Sequence, residues 1–229
     1  MTHALIEIPL DDGALDALVA CPETPGRHAP ILLLGDAGEG DSTRRRRARR
    51  LSAHSFFVLA PDVSGRRADD LREAASAALD HLADQRDCDD ARVGVLGFGV
   101  GADLALELAA RRAERVAAVA AYGGRGFGPC AAFEIASRIN GFVRIGYRVG
   151  HVPRGVGLLE TALTVAGVLF DTDIYETEPW STELADLFGR TLAPPPPVTG
   201  LHGAPQGKGG SPPLNHTGRI AAGARQTPR

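Results

Sequence analysis

Short apolar segments alternate along the chain with longer stretches in which apolar positions recur at helical spacing. The apolar segments predict strands at 5–8, 15–20, 30–35, 56–60, 92–96, 115–122, 141–147 and 169–175. The helical stretches predict helices at 43–53, 69–86, 100–112, 155–167 and 180–192. The first two strands alternate in polarity around an Asp-Asp-Gly turn, which predicts a hairpin, whereas the later ones are continuous apolar runs typical of parallel sheets. The pattern predicts an α/β protein whose mostly parallel central sheet has about eight strands and carries helices on both faces.

The composition changes abruptly at Ala193. Residues 194–229 are dominated by Pro and Gly, contain few large apolar side chains and show no periodicity. Such a segment buries too little apolar surface to offset the entropy lost on ordering. The sequence therefore predicts one domain, 1–193, followed by a disordered Pro/Gly-rich tail, 194–229.

Charge and cysteine content narrow the classes of partner. The formal net charge is −3, and the three cysteines form no CxxC pair, so neither a nucleic-acid surface, a disulfide framework nor a metal site is expected. The run Arg44–Arg50 is better explained as a solvated helix face than as an anion site. The chain shows no signal peptide and no apolar run of the ~18 residues needed to cross a bilayer. We expect a cytoplasmic protein without membrane contact and without a cofactor.

Four strand-to-helix junctions carry the candidate chemistry, because ligands of parallel sheets bind beyond the carboxyl ends of the strands. They read "ILLLGDAGEGD", "APDVSGR", "GVLGFGVGADLAL" and "VAAYGGR". Their order, spacing and strand context resemble the dienelactone hydrolase family, a branch of the α/β-hydrolase superfamily, and the resemblance spans roughly residues 5–192. It implies an α/β-hydrolase fold.

The resemblance also implies a catalytic triad, which this sequence does not supply. In the family a turn G-x-C-x-G, or G-x-S-x-G elsewhere in the superfamily, presents a nucleophile between strand and helix. This chain keeps the outer glycines, Gly97 and Gly101, but has Gly99 at the nucleophile position. The loop where the family carries its acid reads "YRVGHVP" and has no carboxylate, and the loop of the family's histidine reads "YETEPW" and has no histidine. Triad hydrolysis is therefore not expected.

Other parts of the implied site remain. In the fold, the backbone N–H groups of Val100 and of a residue near Ala37 form an oxyanion hole, which needs no side chain. Asp36 is a candidate general base with a pKa raised by burial, and capping of the following turn explains it equally well. Glu39 and Asp41 are expected in solvent, and Asp62 is expected to bond turn N–H groups. Side chains that could line a pocket are Phe98, Arg125, Tyr147, His151, Glu176 and Trp180.

Several functions stay open. "GFGVGA" also matches a loose dinucleotide-binding pattern, but it follows the fifth strand, and no acidic residue follows the next one, so that reading is weak. The first candidate is a non-hydrolytic enzyme that performs epimerisation, isomerisation, cyclisation or elimination on a small or peptidic substrate, as triad-less relatives do in natural-product pathways. The second is a catalytically inactive small-molecule binding protein, and the third is residual ester or lactone hydrolysis. A buried Asp36 that faces an open pocket would favour the first candidate, and an Asp36 used entirely in capping would favour the second.

Overall fold

A single twisted sheet organises the part of the chain that the computed structural model describes, which is residues 2–11, 13–85, 87–88, 92–152, 156–176 and 182–192. The strands are β1 (Thr2–Leu10), β2 (Gly13–Cys21), β3 (Pro30–Leu34), β4 (Phe57–Pro61), β5 (Val93–Phe98), β6 (Val116–Tyr122), β7 (Phe142–Arg148) and β8 (Phe170–Tyr175). The helices are α1 (Asp41–Ala53), α2 (Ala68–Ala83), α3 (Val100–Arg111), α4 (Pro129–Ala136), α5 (Val156–Ala166) and α6 (Thr182–Leu192). The predicted α/β fold and all eight predicted strands are confirmed.

The strand order across the sheet is β1-β2-β4-β3-β5-β6-β7-β8. β1 and β2 form the predicted antiparallel hairpin, β2 pairs antiparallel with β4, and every later pairing is parallel. β3, β4, β5 and β6 are buried along their whole length, which explains why they read as continuous apolar runs. The parallel register brings the ends of β3 and β5 together at one edge of the sheet.

Two apolar clusters hold the helices against the sheet. One lies under α2, α3, α4 and α5, and the other lies under α1 and α6. The contact with α6 depends on a missing side chain, because a Cβ on Gly94 would lie 2.6 Å from Cδ1 of Phe188. Residues Met1–Pro194 form one compact unit. The predicted tail, 194–229, lies outside the described residues.

Helix α4 was not predicted. It has only eight residues, and Pro129 occupies its first turn, where a missing N–H costs no helical hydrogen bond. Its buried positions are the small residues Ala132 and Ala136, so it leaves only a weak apolar pattern. Of the helices that the structure describes, none is long and apolar enough to span a membrane.

The arginine run lies on α1, and the prediction of a solvated face is correct for only part of it. Arg45, Arg46, Arg49 and Arg50 are exposed. Arg44 and Arg47 instead face inward, where their side chains are 13% and 8% exposed and form ion pairs with Asp62 and Glu39. Helical phase explains the division, since the inward positions share a face with the buried Ala48 and Leu51.

Candidate functional site

A strand-turn-helix elbow joins β5 to α3. Phe98 ends the strand, Val100 begins the helix, and Gly99 lies between them with φ +56° and ψ −122°. This is a backbone conformation that residues with a Cβ rarely adopt. The outer glycines permit close packing, because a Cβ on Gly97 would overlap the carbonyl of Gly101, and a Cβ on Gly101 would lie 2.5 Å from the carbonyl oxygen of Gly35. The elbow therefore has the strand-turn-helix geometry expected from the resemblance to the G-x-C-x-G turn, although Gly99 offers no nucleophile.

The carboxylate of Asp36 occupies the space beside Gly99. A Cβ built on Gly99 would overlap Cγ of Asp36 and lie 2.5 and 2.7 Å from its two oxygens. Oδ1 of Asp36 accepts the backbone N–H of Ala37 at 2.8 Å and that of Val100 at 3.2 Å. The two amides proposed from the sequence as an oxyanion hole thus converge on one oxygen, and that oxygen belongs to the protein.

The second oxygen of Asp36 is left open. Within the described part of the chain, no donor is placed on Oδ2, and Asp36 is exposed. The burial that the sequence-based hypothesis required for a base is therefore not found. The capping alternative holds for Oδ1, while Oδ2 stays accessible to a ligand.

Glu39 and Arg47 support the loop that carries Asp36. Glu39 was expected in solvent, and this is wrong, because its side chain is only 7% exposed and forms an ion pair with Arg47. Oε2 of Glu39 also accepts the backbone N–H of Asp36 at 3.2 Å. The guanidinium carbon of Arg47 lies 3.6 Å from the ring centroid of Phe98.

Two of the pocket candidates are core residues in this structure. Phe98 is 5% exposed and stacks on Tyr122 with a centroid separation of 5.7 Å. Tyr147 is also 5% exposed, and burial raises its pKa to about 12, with the carboxylates of Glu160 and Asp103 acting in the same direction. A role for either ring in ligand binding would require one of its edges to reach a pocket.

Three other candidates, Arg125, His151 and Glu176, lie at the same end of the sheet. All three are exposed. The ring of His151 lies 3.4 Å from the carbonyl oxygen of Val149. Trp180 lies outside the described residues. The structure thus brings Asp36, Ala37, Gly99 and Val100 together, and it leaves the three exposed side chains without a demonstrated contact to them.

The segment that contains the elbow is similar to a known protein family, and the fold is similar to solved structures. The model of the dienelactone hydrolase family matches residues 66–177, which include the elbow. The structure is similar to dienelactone hydrolase from Anabaena variabilis, with a TM-score of 0.69 and 20% identity over 84% of this chain and 99% of that one. The structure has the α/β-hydrolase fold, and residues 66–177 are similar to the dienelactone hydrolase family. No curated protein matches it in sequence.

Two further solved structures are similar to this fold. One is a dienelactone hydrolase-like promiscuous phosphotriesterase from metagenomic libraries, with a TM-score of 0.72 and 18% identity over 84% of this chain and 99% of that one. The other is 2,6-dihydroxy-pseudo-oxynicotine hydrolase, with a TM-score of 0.69 and 20% identity over 82% of this chain and 68% of that one. At these identities the likeness establishes the fold and leaves the chemistry to the residues of the site.

Asp62 has the structural role that the sequence predicts for it. Its Oδ1 accepts the backbone N–H of Ser64 at 3.0 Å and the hydroxyl of the same residue at 2.6 Å. Arg44 pairs with its other oxygen at 2.9 Å. Partial burial opposes ionisation of Asp62, and these hydrogen bonds outweigh it and lower the pKa. Among the described residues, no group of His, Cys, Asp and Glu could hold a metal ion.

Asp103 is a carboxylate near the elbow that sequence reasoning missed. It lies one turn into α3, and its oxygens accept the backbone N–H groups of Arg125 at 3.0 Å and Gly126 at 3.2 Å. Burial raises its pKa despite these hydrogen bonds. With Val100 it lines a small cavity of about 80 Å³ between α2 and α3. The sequence signal that could have identified Asp103 is its position as an acidic residue in the first helical turn after the glycine elbow.

The raised pKa of Asp103 predicts a specific pH dependence of the free energy of unfolding. Between the unfolded and folded pKa values the folded protein binds more protons, so stability falls as pH rises through that window, which begins near pH 4. We expect Asp103→Asn to remove this decline. Urea unfolding at a series of pH values from 4 to 7 measures it.

Asp80 provides a control of opposite sign. Its hydrogen bond with Arg112 lowers its pKa, so it contributes stability that is present above the unfolded pKa and lost as pH falls through the folded one. Asp80→Asn should therefore cost stability mainly at neutral pH. A decline with pH that persists unchanged in Asp103→Asn would contradict the assignment.

Proposed function

We propose that this chain is a non-hydrolytic member of the dienelactone hydrolase-like proteins, in which the Asp36 carboxylate replaces the nucleophile and transfers a proton to or from a small or peptidic substrate. One observation supports this proposal above others. Oδ1 of Asp36 is fixed by the N–H groups of Ala37 and Val100, and Oδ2 is free of donors within the described part of the chain.

Hydrolysis by the mechanism of the superfamily needs a nucleophile on the elbow and two unoccupied N–H donors for the oxyanion that its attack creates. Gly99 supplies no nucleophile. The donors of Ala37 and Val100 are already bonded to an anionic oxygen, which would repel a developing oxyanion. Both requirements fail at the same place, so ester or lactone cleavage is not the function that this geometry supports.

Proton transfer needs less than hydrolysis does. A general base must hold one basic oxygen in a fixed direction, within hydrogen-bond distance of the proton that it removes. Two N–H donors on Oδ1 restrict rotation of the Asp36 carboxylate and leave Oδ2 in a defined position. Stabilisation of an enolate by the same two N–H groups would require Asp36 to leave them, so we propose that the substrate itself carries or delocalises the charge that develops.

A second candidate function is that of an inactive binding protein. It is favoured by the same observation, that Oδ1 of Asp36 already occupies the N–H groups of Ala37 and Val100. If the contacts of Oδ1 serve only to cap the elbow helix, Asp36 has a structural role and the site binds without reacting. The exposure of Asp36 is compatible with this alternative, because the sequence-based hypothesis of a general base required a buried carboxylate.

The test is solvent deuterium incorporation. A panel of dipeptides, β-keto esters and lactones is incubated with the protein in D₂O and examined by mass spectrometry. We expect label in at least one compound, and a loss of about 10²-fold or more in Asp36→Asn, the range for removal of a general base. Asp186→Asn, an exposed carboxylate on α6, is the matched control and should label at the wild-type rate.

The other results are informative as well. Label that survives in Asp36→Asn would assign the proton transfer to the substrate's own groups and remove Asp36 from it. Binding without label would establish the inactive binding protein. Cleavage of a lactone or ester by the wild-type protein would overturn the non-hydrolytic proposal.

A further inference from the structure

Three side chains connect the Asp36 loop, residues 35–40 between β3 and α1, to the elbow through the interior. Glu39 belongs to the loop, Arg47 to α1, and Phe98 is the last residue of β5, directly before Gly99. Glu39 pairs with Arg47, and Arg47 lies over the Phe98 ring. All three are nearly inaccessible, with side-chain exposures of 7% and 8% for the ion pair and a residue exposure of 5% for Phe98.

Each end of this series contacts the site. Oε2 of Glu39 accepts the backbone N–H of Asp36, so the ion pair fixes the residue whose carboxylate reaches the elbow. Phe98 is covalently next to Gly99, and its ring is held on the opposite face by Tyr122. Arg47 therefore lies between the segment that supplies the carboxylate and the segment that supplies the N–H of Val100.

We infer that Arg47 is a positioning residue, which acts through Glu39 and Phe98 to hold Oδ1 of Asp36 on the amides of Ala37 and Val100. The importance of this positioning of Asp36 for proton transfer rests on the proposed function. The effect on the two amides does not, because it follows from the contacts alone.

An arginine suits this position better than a lysine. The planar guanidinium lies flat over an aromatic ring while its edge donates to a carboxylate, and an ammonium cannot do both. Removing one partner of a buried ion pair destabilises the charge that remains, so Glu39 is expected to change its position in a variant that lacks Arg47. That movement would withdraw the acceptor from the N–H of Asp36.

The test observes the two amides directly by NMR of ¹⁵N-labelled protein. In Arg47→Met, we expect amide hydrogen exchange at Ala37 and Val100 to accelerate roughly tenfold or more, as for the loss of a hydrogen bond to a charged group. Their chemical shifts should move toward the values found in Asp36→Ala. Arg47→Lys should fall between Arg47→Met and the wild type.

Arg44→Met is the matched control. Arg44 is the other inward-facing arginine of α1, is similarly shielded from solvent and is ion-paired with Asp41 and Asp62. Its guanidinium pairs with Asp41 and Asp62 and not with Glu39, so its removal should leave the amides of Ala37 and Val100 unchanged. A general effect of losing a guanidinium from α1 would alter both variants equally.

The outcomes separate this inference from the proposed function. Unchanged amides in a folded Arg47→Met protein, or equal changes in Arg44→Met, would overturn the positioning role. If Arg47→Met does not fold, Phe98→Leu and Arg47→Lys replace it, and unchanged amides in both would overturn the role equally. Altered amides with unaltered deuterium labelling would support the positioning role and count against Asp36 as the base.

Discussion

Gly99→Ser is expected to lower the free energy of unfolding by about 2–4 kcal/mol without creating a reactive serine. Two effects contribute to the loss. Gly99 has φ +56°, where a residue with a Cβ is strained by about 1–3 kcal/mol. The new Cβ would also overlap Cγ of Asp36 and force the carboxylate off the amides of Ala37 and Val100. Urea unfolding measures the stability, and labelling with a fluorophosphonate probe measures the reactivity of the serine.

Two controls divide this loss into its parts. Gly65→Ser also places a side chain at positive φ, +70°, but nothing lies within 4 Å of its Cβ, so it measures the cost of a positive φ without a steric overlap. The double variant Gly99→Ser/Asp36→Ala removes the side chain that the serine would displace. We expect the double variant to be more stable than the sum of the single changes predicts, by about 1 kcal/mol or more. Additive changes would show that Asp36 does not occupy the nucleophile position in solution.

Most of the fold was predictable, because the strands and the longer helices each have a local sequence pattern. β3 to β6 are buried on both faces, so they appear in the sequence as unbroken apolar runs, and the hairpin of β1 and β2 appears as alternation around a glycine turn. Helix α4 was not predicted, because its buried positions are alanines, whose pattern is too weak to distinguish a helix from a loop.

The site was only partly predictable. The sequence indicated that Asp36 and the amides of Ala37 and Val100 lie near the elbow, since parallel strands end at one edge of the sheet. It did not indicate that the carboxylate binds these amides itself, because that depends on a distance of about 3 Å between two loops that are 64 residues apart. Approaches of that kind are set by packing in three dimensions and leave no periodic signal.

The inward-facing arginines are a different case, because a signal was present. Arg44, Arg47, Ala48 and Leu51 share one face of α1 by helical phase, and the apolar pair marks that face as the buried one. A run of like charges is usually solvated, and applying that rule to the whole run overlooked the helical phase that places Arg44 and Arg47 on the buried face. Phe98 lies beside the elbow, which suggested a ligand contact; its ring is buried against Tyr122, and its role in binding stays a prediction.

Gly101→Ala should have the largest effect on stability, a loss of about 3 kcal/mol or more. This is a large part of the free energy of unfolding of an ordinary domain, which is about 5–15 kcal/mol. The new Cβ would overlap the carbonyl oxygen of Leu34 and lie 2.5 Å from that of Gly35, both backbone atoms at the end of β3. No side-chain rotation relieves such a contact, so α3 would have to move away from the sheet. Urea unfolding, or the yield of soluble protein if the variant does not fold, measures the effect.

Gly189→Ala is the contrasting control. Gly189 lies within α6 with nothing inside 4 Å of its Cβ, so alanine should stabilise the protein by about 0.5–1 kcal/mol through helix propensity. A Gly101→Ala protein as stable as wild type would show that α3 does not pack on β3 as closely as described. The same packing determines the distance between Asp36 and the N–H of Val100. Val100 directly precedes Gly101, so the close approach of Gly101 to β3 places this N–H near the loop after β3. The outer glycines that elsewhere present a nucleophile thus serve here to bring an amide to a carboxylate.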